Sequence, residues 1–428
     1  MGKVNEQNRP SLINATKIWL KVGVFSFGGP AAQISLMHRE VVEENKWLSE
    51  EQFLNALSFC MLLPGPEAMQ LATYSGWRLH GVLGGLVAGL LFVLPGAAII
   101  MLLASIYAIY GDVPIVTALF YGVKAAVLVI VLEALLRVSK KALSKKSHWI
   151  IASLAFIGLF FLSVPYPLII LGAALYGFFS SQKNIENASQ ATQQVSFAKT
   201  LKTIITWLII WLLPLSLLYL FGVQSILVDI GQFFSTLAVV TFGGAYAVLA
   251  YMAQDVVTQF GWLTAQEMID ALGLAETTPG PLILVTQFVG FIAGFKEGGL
   301  WLGLCAAMIA LWMTFAPCFL WIFTGAPYIE WISRQPKLKG ALTAITAAVV
   351  GVILNLSIWF ALHVLFADVT QINAGIFLLW LPTFNSIEWL AVALFILSAI
   401  LVFKLHWNIM KVLGVVAVLG AILKLTFF

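Results

Sequence analysis

Long uncharged runs alternate with short polar interruptions along the chain. Apolar stretches lie near residues 82–110, 113–138, 148–163, 165–180, 203–221, 298–323, 340–366, 387–404 and 407–427. Several reach the roughly 20 residues that a helix needs to cross a bilayer. Two regions break the pattern. From Phe27 to Pro66 and from Phe242 to Pro281 the apolar pieces are cut by the triplets FGG and PGP, leaving segments about half the length of a span. Lipid offers the backbone no hydrogen-bond partners, so a break at membrane depth is tolerated only where protein or a cavity surrounds it. The pattern therefore predicts an all-α polytopic membrane protein with two broken or re-entrant helical hairpins in each region.

The two regions are copies of one unit. At a constant offset of 215 residues, 27–66 aligns with 242–281 without a gap, and 14 of the 40 positions are identical. Chance in so apolar a chain would give about one match in thirteen. The identities include both FGG and both PGP triplets, and Trp47 with Trp262. After each tryptophan stands a capping-box spacing, Ser49 with Gln52 and Thr264 with Glu267, which starts a helix at equivalent places. The polar segment SSQKNIENASQATQQVSFAKT lacks apolar periodicity and marks the boundary. The expected organisation is a first repeat over 1–180, a cytoplasmic linker over 181–200, and a second repeat over 201–428 that begins with an extra span at 203–221.

Charge gives the orientation. The chain is 61% hydrophobic and 10% charged, with a mean hydropathy of +0.98, where a soluble domain carries about 25% charged residues. Its basic stretches are the N-terminus, SKKALSKKSH, the linker and SRQPKLKG, all expected on the cytoplasmic side. With the extra span, the second copy then starts from the opposite face and the repeats are inverted. Arg39 and Lys46 become Gln254 and Gly261, as an outward-facing copy would have it. The net charge of +4 is spread over loops and does not suggest nucleic acid. The first residues lack the apolar core of a removable signal peptide. Cys60, Cys305 and Cys318 lie in apolar stretches without ligand spacing, so they read as buried small hydrophobes, with no disulfide framework or metal site. No cofactor is implied. No GxxxxGK[ST], HExxH or GxSxG occurs, which argues against an ATPase and against an intramembrane enzyme.

The breaks themselves suggest a chemistry. Gly29-Pro30, Gly65-Pro66 and Gly280-Pro281 look like helix starts, with proline where its missing N–H costs nothing and glycine permitting a tight turn. A helix N-terminus in a membrane presents free N–H donors and about half a positive charge, an anion site. Paired broken helices mark the substrate site of inverted-repeat carriers. The competing reading is that these residues only kink and pack helices. Hydroxyls and amides gather nearby: Gln70, Thr73, Tyr74 and Ser75 after the first PGP, Thr277, Thr278, Thr286 and Gln287 around the second. Charges at membrane depth are rare and informative. Lys124 is expected either to meet the substrate or to neutralise a carboxylate, with Glu133 and Arg137 on the same segment. Glu67 and Glu276 are candidates for proton coupling, with a helix-end or hydrogen-bonding role as the alternative, and Arg78 joins them. His38, Arg39 and His80 read as interfacial.

The stretches FSFGGPAAQISLMHREVV, KWLSEEQFLNALSFCMLLPGPEAMQLATYSGWRLHG and GGLVAGLLFVLPG, with TFGGAYAVL, GWLT and ETTPGP in the second half, strongly resemble the chromate ion transporter family in its long, two-domain form. The resemblance covers nearly the whole chain. It implies a secondary carrier that exports chromate, a tetrahedral dianion similar to sulfate, across the bacterial inner membrane and confers chromate resistance. Carried over by motif, the site comprises Phe27, Gly28, Gly29 and Pro30, Pro64, Gly65, Pro66 and Glu67, Phe242, Gly243 and Gly244, and Pro279, Gly280 and Pro281. Gln70, Thr278 and Lys124 join these as substrate-binding candidates. Ala245 replaces the proline of the first copy, so the fourth helix start is the weakest. Sulfate is the expected competitor, and a carrier for sulfate or another oxyanion is the alternative. The lipid bilayer is the partner the composition requires, and a homodimer is left open.

Overall fold

Each long apolar run of the sequence folds as helix. The computed structural model describes residues 10–111, 113–181, 196–223, 225–242, 245–329, 335–375 and 377–427. In chain order the helices are α1 (Leu12–Phe25), α2 (Gly29–His38), α3 (Glu50–Cys60), α4 (Glu67–Tyr110), α5 (Pro114–Ala142), α6 (Lys146–Phe160) and α7 (Tyr166–Ser180). There follow α8 (Phe197–Leu220), α9 (Ser225–Val240), α10 (Ala245–Gln254), α11 (Ala265–Thr277), α12 (Val285–Gly325), α13 (Pro336–Leu365), α14 (Trp389–Ala399) and α15 (Ile409–Phe427). Six helical stretches among the described residues are long and apolar enough to cross a membrane. The protein is an all-α polytopic membrane protein. Most of the linker expected at 181–200 lies outside the described residues.

The duplication extends to backbone detail. Both capping boxes form: Gln52 N–H donates to Ser49 Oγ at 3.2 Å and Ser49 N–H to Gln52 Oε1 at 3.1 Å, as Glu267 N–H does to Thr264 Oγ1 at 3.1 Å and Thr264 N–H to Glu267 Oε2 at 2.7 Å. A π-helical turn follows α2 at Arg39–Glu44 and α10 at Asp255–Gln259. Lys46 and Gly261 then take positive φ, 52° and 63°. That conformation favours glycine, so the Lys46/Gly261 difference has a backbone reason. Arg39/Gln254 remains as the difference in basic residues within this loop.

Contacts divide the chain into two units. The first comprises Met1–Ser105, Gln182–Ala245 and Thr278–Leu338, and the second Ile106–Ser181, Tyr246–Thr277 and Lys339–Phe428. Each unit thus draws on both sequence copies.

In the first unit, α4 and α12 are not continuous rods. α4 reverses at His80 (φ −133°) and Gly81 (φ 63°, ψ −152°), and α12 at Gly298 (φ −151°) and Gly299 (φ 74°, ψ −164°). The two arms of α4 pack backbone to backbone, because a Cβ on Gly76 would overlap the carbonyl of Gly84 and the reverse also holds. Gly290 and Gly294 serve α12 in the same way, against Ala306, Ala310 and Leu302. Small residues drive this because lipid tails give apolar side chains no reason to associate, and close van der Waals packing must do so instead. α8 and α9 lie on α12, with Trp312 Nε1 donating to Ile210 O at 3.1 Å.

In the second unit, α5 packs on α11, α14 and α15, with Gly122 too close to Val416 O for any Cβ. α13 approaches α6 and α7 as tightly, Gly351 against Ala152 and Gly340 against Gly177. First-copy helices are therefore packed on second-copy ones. A β-hairpin of β1 (Val369–Ala374) and β2 (Phe377–Pro382) joins α13 to α14. It turns at Gly375 (φ 67°) and is tied down by Leu378 N–H donating to Phe161 O at 2.8 Å. The high hydropathy of FLLWLP hides its β-pattern among membrane runs.

Candidate functional site

The broken segments of the first unit meet through a reciprocal exchange between the copies. Gly65 N–H donates to Thr241 O at 3.0 Å, and Gly280 N–H donates to Ser26 O at 3.1 Å. Gly65 and Gly280 are equivalent, and so are Ser26 and Thr241, the residues just before the two FGG triplets. Each PGP glycine is thus bonded to the FGG segment of the other copy. Gly280 N–H also reaches Ser26 Oγ at 2.9 Å. Two buried glutamines brace the arrangement. Gln33 Nε2 donates to Ser26 O at 3.1 Å and Gly280 O at 2.6 Å, and Gln70 Nε2 donates to Pro64 O at 2.6 Å.

This geometry changes the role of the glycine amides. Placed at helix starts by the sequence pattern, they were expected to face an anion, yet Gly65 and Gly280 donate within the protein. Both glycines also have positive φ, 108° and 90°, and the two PGP triplets are buried. Pro66 caps α4 rather than opening it, since Gln70 N–H bonds to its carbonyl at 3.1 Å. Pro281 precedes a short 3-10 turn, Leu282–Leu284, before α12. The remaining oxygens of Gln33 and Gln70 are buried acceptors without a hydrogen-bond partner among the described residues, so they are not anion donors.

The start of α2 is different. Gly28 caps it with φ 85° and Pro30 lies in its first turn. Phe27 is 36% exposed, and Gly28, Gly29 and Pro30 are partly exposed. Of the predicted helix starts described, this one is open, with first-turn amides that have no partner inside the helix. Gly243 and Gly244 lie outside the described residues, although α10 does begin at Ala245. Phe242 is half-buried and Thr278 buried. Glu67 stands in the first turn of α4, where a carboxylate favours the helix dipole. Arg78 is half-buried two residues before the reversal of α4, and His80 within it bonds Pro10 O at 2.9 Å.

The second unit holds the other charged candidates. Lys124 lies 3.9 Å from Asp270, with side chains 11% and 4% exposed. It therefore has a carboxylate neighbour, one of its two expected roles. Asp270 also accepts from Tyr107 OH at 2.8 Å. Sequence reading missed Asp270 because it sits in the polar-looking start of α11, one turn after Gln266. Glu276 is 5% exposed and accepts from Tyr246 OH at 2.9 Å. Glu133 and Arg137 pair with each other at 2.5 Å.

Comparison with known proteins follows the same duplication. The family model for chromate transporters matches residues 13–178 and again 228–423. The chain belongs to the chromate transporter family. It is a transporter rather than an enzyme. A probable chromate transport protein of Synechococcus elongatus is 31% identical over 351 residues, 80% of this chain and 83% of that one. A chromate transport protein of Cupriavidus metallidurans is 28% identical over 360 residues, 82% and 83% of the two chains. One from Pseudomonas aeruginosa is 31% identical over 343 residues, 78% and 77%. No solved structure matches the chain.

Proposed function

We propose that this transporter is a secondary carrier that exports chromate across the bacterial inner membrane and thereby confers chromate resistance. The observation that carries the reading is the reciprocal pairing of the FGG and PGP breaks in one unit. It supports a shared centre built by both copies, of the kind inverted-repeat carriers use. The names of the three relatives supply the anion. Export of a dianion from an inside-negative cell is favoured by about 4–5 kcal/mol per 100 mV, two charges at about 2.3 each, so no ATPase is required. In this reading the open start of α2, around Phe27, Gly28, Gly29 and Pro30, offers donors to the oxyanion. Pro64, Gly65, Pro66, Gln70, Thr278, Pro279, Gly280 and Pro281 form the buried frame that holds it, and Phe242, Gly243 and Gly244 are the second-copy counterpart. Glu67, Glu276 and Arg78 remain coupling candidates.

Inside-out vesicles containing the protein should take up labelled chromate. Sulfate should compete, and chloride should compete poorly, because backbone donors arranged around a tetrahedral dianion do not suit a small monovalent sphere. Uptake equal to that of vesicles lacking the protein would overturn the reading. The inverted topology, with a cytoplasmic N-terminus, has its own measurement. In a Cys305→Ser background, with Cys60 and Cys318 buried, Glu44→Cys and Gln259→Cys should react with an impermeant reagent from opposite faces. Reaction from the same face would exclude inverted repeats.

A further inference from the structure

The second unit contains a charge cluster that the site described above does not use. Lys124 on α5 faces Asp270 on α11, and Tyr107 at the end of α4 donates to the same carboxylate at 2.8 Å. One turn before Lys124, Tyr121 OH donates to Glu388 Oε2 at 2.8 Å, and Lys424 of α15 stands 4.8 Å over the Tyr121 ring. Lys124 thus lies in the fields of Asp270, Glu388 and Lys424 together, while Asp270 also feels Glu267 on its own helix. Two cations and two carboxylates balance in this cluster, with Glu267 in the first turn of α11.

The pair is close but not closed. At 3.9 Å the ammonium is beyond a normal hydrogen bond, so Asp270 is held at bonding distance by a neutral phenol and, at 3.4 Å and beyond, by Gln266. The approach of the helices enforces this. A Cβ on Gly273, one turn after Asp270, would overlap Val123, the neighbour of Lys124. Ionisable groups inside a membrane are costly to bury and mark ion or proton pathways. A second carboxylate, Glu388, is held by Tyr121 one turn away on the same helix as Lys124. Adding a proton to one oxygen of Asp270 removes its attraction for Lys124 while leaving an O–H that Tyr107 and Gln266 can still meet.

We propose that Asp270, held between Tyr107 and Lys124, is a proton-binding site, beyond Glu67 and Glu276, through which this carrier ties anion movement to proton movement. The inference rests on the proposed transport of chromate, and the test separates the two. The full-length protein is reconstituted in liposomes with a pH-sensitive dye inside, and both proton movement and labelled chromate are followed after a chromate gradient is imposed. The wild type should move protons with chromate. Asp270→Asn should still exchange chromate for chromate but move no protons above empty liposomes. The double variant Lys124→Gln with Asp270→Asn keeps the interior neutral and guards against misfolding of the single one, and should behave in the same way. Tyr107→Phe, which removes only a hydroxyl, should shift the pH midpoint of coupled flux upward, because a carboxylate that loses a donor holds its proton more tightly. Proton movement at the wild-type ratio in either Asp270 variant, or an unshifted midpoint in Tyr107→Phe, overturns the proposal. Wild-type protein that moves chromate without protons overturns it too, while leaving chromate transport standing. Absence of chromate movement in the wild type overturns the transport reading itself.

Discussion

Gly65→Val and Gly280→Val should lose folded protein and transport together. Both positions have positive φ, 108° and 90°, where an L residue costs about 1–2 kcal/mol and a β-branched one more. A Cβ at Gly65 would stand 3.0 Å from Gln70 Nε2 and 3.1 Å from Cys318 Sγ, and one at Gly280 would stand 2.8 Å from Leu284 Cδ1. Any backbone shift that relieves this breaks the N–H bond to Thr241 or Ser26, at about 1–3 kcal/mol for a buried glycine N–H left unsatisfied. Thermal unfolding in detergent, read by fluorescence-detected size exclusion, should show a large fall in midpoint for both variants. Gly29 is the contrast. It also has positive φ, 75°, but a Cβ there meets nothing within 4 Å, so Gly29→Ala should disturb the open start of α2 with a far smaller loss of stability. A Gly65→Val protein with the wild-type midpoint and lowered chromate affinity would show instead that this amide serves the anion.

Lys124→Gln should destabilise the protein by about 3–5 kcal/mol, since removal of one partner strands the other charge in a low-dielectric interior. The stranded group is Asp270, 3% exposed. A lysine that only met the substrate would lose transport with near-normal expression, whereas the ion pair with Asp270 makes reduced yield the expected result. Adding Asp270→Asn should restore most of the midpoint, because two neutral amides of similar shape leave no uncompensated charge. A single variant as stable as the wild type would mean that the pair contributes nothing to the fold.

Some of this was legible because the signals are local or periodic. Long apolar runs and two capping boxes depend on residues close in sequence, a gapless repeat on identity at one fixed offset, and all three appear in the fold. Lys124 stood out because a lysine in FYGVKAAVLVIV has no polar context. Its partner did not, since Asp270 lies in AQEMIDALGLAE among other polar residues and only the approach of α11 to α5 singles it out. The reversals at Gly81 and Gly299 were equally hidden. Glycine is common in membrane helices, and a reversal through a glycine of positive φ cannot be told from a simple kink by composition.

By itself the sequence determined the solvent the chain lives in, its helical content, its duplication and the family whose motifs it carries. These follow from hydropathy, spacing and identity, which need no third dimension. Only the tertiary structure decided where the donors of the broken helices point. A free N–H at a helix start is satisfied by whichever acceptor the fold brings within about 3 Å, and here Thr241 and Ser26 reach Gly65 and Gly280 from the other copy. The same holds for the charges, because a lone lysine implies a counter-charge, but which carboxylate supplies it is settled by how closely two helices pass, and that depends on glycines such as Gly273 having no Cβ to keep them apart.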